Sequence, residues 1–480
     1  MTFPSIMPAN SVSGYDIENS VRFNAGSKDH FRRTFVAGNR RTFTYSTWVK
    51  RSSLGDQNLI NADDGTAFNN NGNFSALYFT SGDLLFAADY TGSQRFSLQT
   101  TGTFRDTSAW YHIVLATDTT QETAADRMKM YVNGERQTAF NSASYPDRNL
   151  DTQFNHADNG MKIGVYPDQD LLYWHGYMAE THFIDGAQLT PEDFGKVNND
   201  GVWVPIKYQG GNYGNNGFYL EFQQTGTSQN ASGIGADTSG EEHHLAVHNF
   251  TADSISIDTP TNNFPTWNVN DSGAAASTIT DGALRATQPG SGSSTNTTMG
   301  VVNGKWYYEV KITAQNNPLI GIVPQAIQPG GSDNFQKEFS IGVYAGNPNL
   351  YQNTASPASL GGGLSTGDIL MFAIDMDNSE MYIGKNGSWN DGLGGGFDQS
   401  DFANANGYSF NRPAGPSNDF YVVSHVNGSG SNGYTLELNF GSPPFTLDSA
   451  NADGEGIGNF EYAVPSDYFA MCTKNLAKYG

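Results

Sequence analysis

Residues 110–117 read WYHIVLAT. Alternation puts Trp110, His112, Val114 and Ala116 on one face and Tyr111, Ile113 and Leu115 on the other, the period of two that a strand imposes. Both faces are bulky, so the stretch is expected to be a strand covered on both sides, central in a sandwich. Upstream, Phe43, Tyr45, Thr47 and Val49 alternate with Thr44, Ser46 and Trp48. Residues 77–80 and 84–88 flank Ser81-Gly82-Asp83 at hairpin spacing. Residues 128–132 run into Asn133-Gly134, a pair suited to a type I′ turn because both central residues need positive φ. Residues 161–166, 175–184 and 218–222 complete a first series of strands. A single short helix is predicted over 189–196, with Thr190 as cap, Pro191 in first position and Asp193 three residues after the cap.

A second series follows. Residues 305–313 (KWYYEVKIT) alternate, and 339–344 form a short apolar run. Residues 367–389 (GDILMFAIDMDNSEMYIGKNGSW) read as two strands around Asp377-Asn378-Ser379, with a further turn at Asn386-Gly387. Residues 420–424 and 434–441 close the series. Between the two lies 249–268, NFTADSISIDTPTNNFPTWN. Pro260 and Pro265 remove donors and restrict their neighbours, so this seam is expected to be an ordered, extended strap outside any sheet centre.

Composition agrees with an all-β chain. Its 480 residues allow two to four domains, aromatics make up 13%, and 55 glycines cluster with Asn, Ser and Thr between apolar segments. The net charge of −23 disfavours nucleic acid and anionic lipid as partners. The lone Cys472 excludes an intrachain disulfide. The opening MTFPSIMPANS lacks the cationic start and apolar core of a signal peptide, and no apolar run reaches the length of a membrane span. Synthesis in a reducing cytoplasm is expected.

FTYSTWVK, WYHIVLATD, RMKMYVNGE, MKIGVY and HGYMAETHFIDGAQLTPEDFG, in that order, resemble a laminin-G-type concanavalin A-like sandwich over about residues 15–204. KWYYEV, GDILMFAID, MYIGKNGSW and LELNFG resemble a SPRY domain, also a β-sandwich, over 267–444. The block IGADTSGEEHHLAVHN (234–249), DTPTNNF (258–264) and the tail YAVPSDYFAMCTKNL (462–476) resemble junctions and tails of bacteriophage tail fibre and other virion proteins. These resemblances imply two antiparallel β-sandwiches joined by an extended strap. The divisions are an arm at 1–15 as attachment segment, a first sandwich at 16–204, junction and strap at 205–266, a second sandwich at 267–444, and a tail at 445–480 packing on it. They imply a non-enzymatic virion structural protein (tail fibre, capsid fibre or surface decoration) assembled in the host cytoplasm. Its expected partners are other virion proteins and a host-surface glycan or protein, and it is expected to be a homo-oligomer, a trimer by analogy with fibres. The alternatives are a polysaccharide depolymerase or glycosidase on the first sandwich, and a bacterial adhesin-type lectin.

Candidate chemistry is sparse. There is no P-loop, dinucleotide fingerprint or nucleophile elbow, and no E-x-D-x-E strand motif of the glycosidases that use this sandwich. Asp375, Asp377 and Glu380 have the density to hold calcium or to act as acid and base, but they lie at a turn, where Asp and Asn satisfy backbone donors. Asp63-Asp64-Gly65 is open to the same two readings. His243, His244 and His248, beside Glu241 and Glu242, suggest a metal, yet adjacent residues of a strand point to opposite faces. No cofactor is expected, with Ca²⁺ the one candidate ion. Tyr173 and Trp174, preceding His175, and Trp389 are candidate platforms for a sugar ring or else core anchors. Tyr208 and Tyr213, in a glycine-rich loop, are candidate contacts to a ligand or a neighbouring subunit.

Overall fold

A computed structural model of the chain describes residues 14–65, 72–166, 171–272, 277–290, 294–326, 335, 338–346, 348–352, 355–413, 420–427 and 433–480. Most of the N-terminal arm lies outside them. The chain divides into two compact units, one spanning Ser11–Thr261 and the other containing Asn262–Gly480.

The first unit contains, in chain order, β1 (Ser20–Phe23), β2 (His30–Thr34), β3 (Thr42–Arg51), β4 (Gln57–Asp63), β5 (Phe74–Thr80), β6 (Leu84–Thr91), β7 (Ser93–Thr103), β8 (Trp110–Asp118) and β9 (Met128–Val132). These are followed by β10 (Glu135–Arg136), β11 (Phe140–Ser144), β12 (Gly160–Ile163), β13 (Gly176–Asp185), β14 (Gly195–Val197), β15 (Trp203–Pro205), β16 (Phe218–Leu220), β17 (Ala246–His248) and β18 (Ile255–Ser256). One antiparallel sheet runs β10-β9-β8-β3-β13-β1-β18, with β16 also on β13. The other runs β11-β7-β6-β5-β4-β12-β2-β17. Phe43, Tyr45 and Ile113 from the first meet Phe31, Leu77 and Phe79 from the second in one buried core. Each such aromatic, fully buried, contributes on the order of 2–3 kcal/mol.

β8 is covered on both faces, as its pattern predicts. Ile113 and Leu115 enter the core between the sheets, while Val114 and Ala116 pack under Phe194, Tyr213 and Tyr219. The turn after β9 has the expected backbone, with φ 50° at Asn133 and 81° at Gly134.

Two expectations are corrected. The helix expected over 189–196 is a single 3₁₀ turn, Pro191–Asp193. Its cap is as read, with the Thr190 N–H donating to Asp193 Oδ2 at 2.9 Å. Gly195 then opens β14, because the β14–β15 hairpin lays the Trp203 ring over Gly195, where a Cβ would come within 2.5 Å of it. The second correction concerns the junction and strap expected over 205–266, of which residues 205–261 belong to the first unit. They fold into the first unit: β16 pairs with β13, β17 with β2 and β18 with β1. Within the seam Ala252–Ser254 form a 3₁₀ turn and Ile255–Ser256 a short edge strand, and the seam is divided between the units at Thr261 and Asn262.

What fixes the first half of the seam is Asp258, 2% exposed. Its carboxylate accepts from Lys50 Nζ at 2.7 Å and from Trp110 Nε1 at 3.2 Å. Lys50 is itself fully buried, and burial pushes its ammonium below the usual lysine range while Asp258 opposes the shift. Nearby, Thr261 Oγ1 accepts from the Ile17 N–H at 3.0 Å.

The second unit is a further pair of antiparallel sheets. One orders Trp267–Ser272, Ser294–Val301, Tyr421–Asn427, Pro318–Pro324, Ile341–Tyr344, Asn349–Gln352 and Ala355–Ser359. The other is built on Tyr434–Asn439, Lys305–Ala314, Ile369–Asp375 and Glu380–Lys385. Within it Tyr308 stacks on Phe372 at 4.8 Å. The C-terminal stretch belongs to this unit. Phe469–Ala470 adds a parallel strand beside Trp306–Tyr307, and a helix, Thr473–Tyr479, follows. Glu309, fully buried, accepts from Tyr307 Oη, Asn439 Nδ2 and the N–H groups of Glu461 and Tyr462, all at 2.9–3.0 Å. Desolvation raises its carboxyl above the ordinary range, and those four donors oppose the shift.

Asp258→Ala is expected to destabilise the first unit by about 3–5 kcal/mol, because it leaves a buried ammonium without its carboxylate. Denaturant unfolding of the full chain measures the loss. Glu309→Ala should cost the second unit about 3 kcal/mol or more by stranding buried donors. Protease cleavage around residues 459–462 reports whether the C-terminal stretch is released.

Candidate functional site

The outer face of the second sheet of the first unit carries an open cleft of about 640 Å³. Strand register builds it. Lys162 on β12 lies directly opposite Asn61 on β4 and Arg32 on β2, and Arg32 lies opposite Ala246 on β17. Two residues along the strands Gly160 lies between Asp63 and Thr34. Inward-facing neighbours Phe31, Met161 and Ile163 enter the core, which fixes the outward direction of Arg32, Gly160 and Lys162. Gly160 contributes no side chain, and so forms the floor. A Cβ there would come no nearer than 3.9 Å to Asp63 O.

The charges are uneven in their partners. Lys162 Nζ is 2.9 Å from Asp63 Oδ2 and nearly buried with it. Asp63 Oδ1 also accepts from the Gly65 N–H at 3.0 Å, and Asp64 Oδ2 accepts from Asn73 Nδ2 at 2.8 Å. The Asp63–Asp64 pair is thus a braced turn at the cleft margin. Arg32 is exposed. Its Nε donates to His30 Nε2 at 2.8 Å. The His30 Nδ1 contact to the Lys28 carbonyl at 2.8 Å requires the proton on Nδ1, which leaves Nε2 free to accept. Among the described residues no carboxylate pairs with Arg32. His248 stacks on His30 at 4.5 Å, and burial, then Arg32, hold its imidazole below the ordinary range.

Trp174 is fully buried and stacks on Phe79, so it is a core anchor with no face for a sugar. Trp389, 3% exposed, packs on Phe402 and is likewise internal. Tyr173 is buried against His30 at 5.9 Å and does not line the cleft. Tyr213 is buried, and its hydroxyl meets His182 Nδ1 at 3.1 Å, while half-buried Tyr208 stacks on Phe194 at 5.0 Å. Both loop tyrosines cover the outer face of β13 instead of projecting from it. Asp375 is buried and accepts from Lys305 at 3.0 Å and from the Asn378 N–H at 2.9 Å, and Asp377 accepts from the Gly304 N–H at 3.0 Å. Glu380 accepts from Tyr382 Oη at 2.8 Å. That triplet braces its hairpin. His243 meets the Gly217 carbonyl, His244 accepts from the Asp237 N–H, and His248 is at β2, so the three rings do not converge. Among the described residues no three or more His, Cys, Asp or Glu side chains group to hold a metal ion.

Sequence reading missed the cleft residues Arg32, Gly160 and Lys162. The available signal was HFRRT and MKI, cations at outward positions of strands in a strongly acidic chain. It also missed a buried network on β13. Glu180 has φ 46° where the β3–β13 register slips between Ala179 and His182. Its carboxylate accepts from Tyr15 Oη and Tyr219 Oη, both at 2.8 Å, and Tyr219 stacks on His182 at 4.1 Å. Across the sheet Trp203 Nε1 donates to His112 Nδ1 at 3.1 Å, so the His112 proton lies on Nε2, facing Ser46 Oγ at 2.8 Å. The pocket enclosed by Glu180, His182 and Ser46 has no room for a water molecule.

Residues 25–194 match the laminin-G family described as the concanavalin A-like lectin/glucanases superfamily. Among solved structures, the SPRY domain of human HERC1 is similar at 15% identity, over 36% of this chain and 96% of that one, with a TM-score of 0.29. A native heptameric SAP-like pentraxin from Limulus polyphemus is similar at 18% identity, over 37% of this chain and 80% of that one, with a TM-score of 0.25. No curated protein matches the chain.

Burial lowers His112 from 6.5 to about 3, with His182 adding to the shift, and lowers His425 in the second unit to about 3. The unfolded chain protonates both rings near 6.5, so it binds more protons than the folded chain between these values. Stability is therefore complete above pH 6.5 and falls as the pH drops towards 3, by about 1.4 kcal/mol per pH unit for each ring. Urea unfolding over that window should show a shallower slope for His112→Gln than for the native chain. Equal slopes would refute a neutral buried ring.

Proposed function

We propose that this chain is a non-enzymatic recognition protein of a bacteriophage particle, a tail fibre, capsid fibre or surface decoration. In this reading it is assembled in the host cytoplasm with other virion proteins, as a homo-oligomer, and it displays the first sandwich to a host-surface glycan. The observation that carries the recognition role is the open cleft over Gly160, lined mainly by polar and charged side chains, on the outer face of paired strands. Rigid strands hold polar groups in place at little entropic cost on binding. The virion placement is supported by the junction and tail sequences, DTPTNNF and YAVPSDYFAMCTKNL.

The enzymatic alternative is favoured by one observation, the backbone of Glu180 in a sparsely populated region beside His182. Against it, Glu180 is 6% exposed, its oxygens accept from two tyrosines, and its pocket is closed to water. A hydrolase needs a carboxyl that reaches the glycosidic oxygen.

Purified full-length chain should bind host surface polysaccharide without releasing reducing ends, and antibodies to it should label intact particles. Sustained release of reducing sugar that is lost in Glu180→Gln would overturn the non-enzymatic reading. Absence from purified particles would overturn the virion placement.

A further inference from the structure

Arg32 and Lys162 are cross-strand neighbours on one face of an antiparallel pair. Like charges directly opposite each other are destabilising. Asp63 offsets one of them, at 2.9 Å from Lys162. Arg32 has its Nε fixed by His30, which orients the guanidinium and leaves its two terminal nitrogens without a partner among the described residues. Beside it the floor is Gly160, bare of side chain. The arrangement is a pre-oriented guanidinium fork above an open floor, in a chain whose net charge is −23. A planar carboxylate is the group that matches such a fork with two parallel hydrogen bonds.

The remainder of the lining limits what else the ligand carries. Asp64 and Asp158 lie on the cleft with Thr34, Gln229 and Arg33, whose guanidinium donates to the Asn216 carbonyl at 3.1 Å. Carboxylates and an amide accept from sugar hydroxyls, while the two acidic groups repel a ligand bearing many negative charges. Polysulfated chains and nucleic acids are disfavoured, whereas a sugar with one carboxylate per residue is accommodated.

We infer that the cleft over Gly160 binds an acidic saccharide of the uronate or nonulosonate class, with Arg32 holding its carboxylate and Gly160 leaving space for the ring. This rests on the glycan-recognition reading above and names the ligand class of that same site.

The test is calorimetric titration of the full chain with trigalacturonate and sialyllactose, each against its carboxyl-reduced counterpart, in which the acid is converted to an alcohol. The expected result is that at least one acidic probe binds, and its reduced form binds about tenfold or more weakly. Arg32→Gln should remove that difference, and Arg32→Lys should restore it only in part. Because Arg32 is exposed, its variants are expected to fold, and an unchanged urea midpoint verifies this. Gly160→Leu fills the floor without a forced backbone, and should abolish binding of acidic and reduced forms alike. If acidic and reduced forms bind equally and Gly160→Leu abolishes both, the carboxylate inference fails while glycan recognition stands. If no saccharide binds at all, both fail. Arg32→Gln binding the acid as tightly as the native chain would also overturn the inference.

Discussion

A buried ion pair, Lys50 with Asp258, is the constraint on which the first unit depends. Neither charge is accessible to water, at 0% and 3% side-chain exposure. Removing a charge from water costs several kcal/mol, and only close geometry with further hydrogen bonds offsets it. Here Trp110 supplies the added donor. The pair joins strand β3, central in its sheet, to a residue 208 positions later in the chain. Residues 205–261 are held to the sandwich by this contact and by strands β16, β17 and β18. β17 forms one wall of the cleft beside Arg32. The same closure that satisfies Lys50 thus accompanies completion of the candidate site.

The two faces of the first sandwich use polar groups differently. On the outer face of β13, Glu180, His182, Tyr15 and Tyr219 are covered and paired with one another, and their pocket excludes water. A polar network in such a setting is worth most when every member is satisfied, and it specifies one packing of the cover over the sheet. On the outer face of β12 and β2 the polar groups are open, and Arg32 keeps donor capacity for a ligand. Glu309 in the second unit follows the first pattern, a buried carboxylate whose donors come partly from the C-terminal stretch.

Much of the fold was legible because strands announce themselves locally. The alternation of WYHIVLAT and FTYSTWVK and the Asn133-Gly134 turn are properties of adjacent residues, and β8, β3 and the hairpin after β9 follow from them. The helix expected over 189–196 failed for a nonlocal reason. Its cap and proline are present, but Gly195 is claimed by the Trp203 ring from the next strand. The candidate site was read less well. Aromatics were singled out by type, and Trp174 and Trp389 proved to be core because large rings are worth more buried than exposed.

Sequence by itself determined that the chain is all-β, that it holds two sandwiches in series, and that Asp375-x-Asp377 and Asp63-Asp64-Gly65 sit at turns. The strands and turns follow from side-chain period and turn chemistry, which act over a few residues, while the two sandwiches follow from the laminin-G-like and SPRY-like order of motifs. Tertiary structure alone decided that the seam is divided between the units, that Asp258 neutralises Lys50, and that Arg32, Gly160 and Lys162 share one face. These depend on a side-chain contact across 208 positions, from Lys50 to Asp258, and on the pairing of β2 with β12. Register across such distances is set by which residues the core accepts, and no local pattern encodes it.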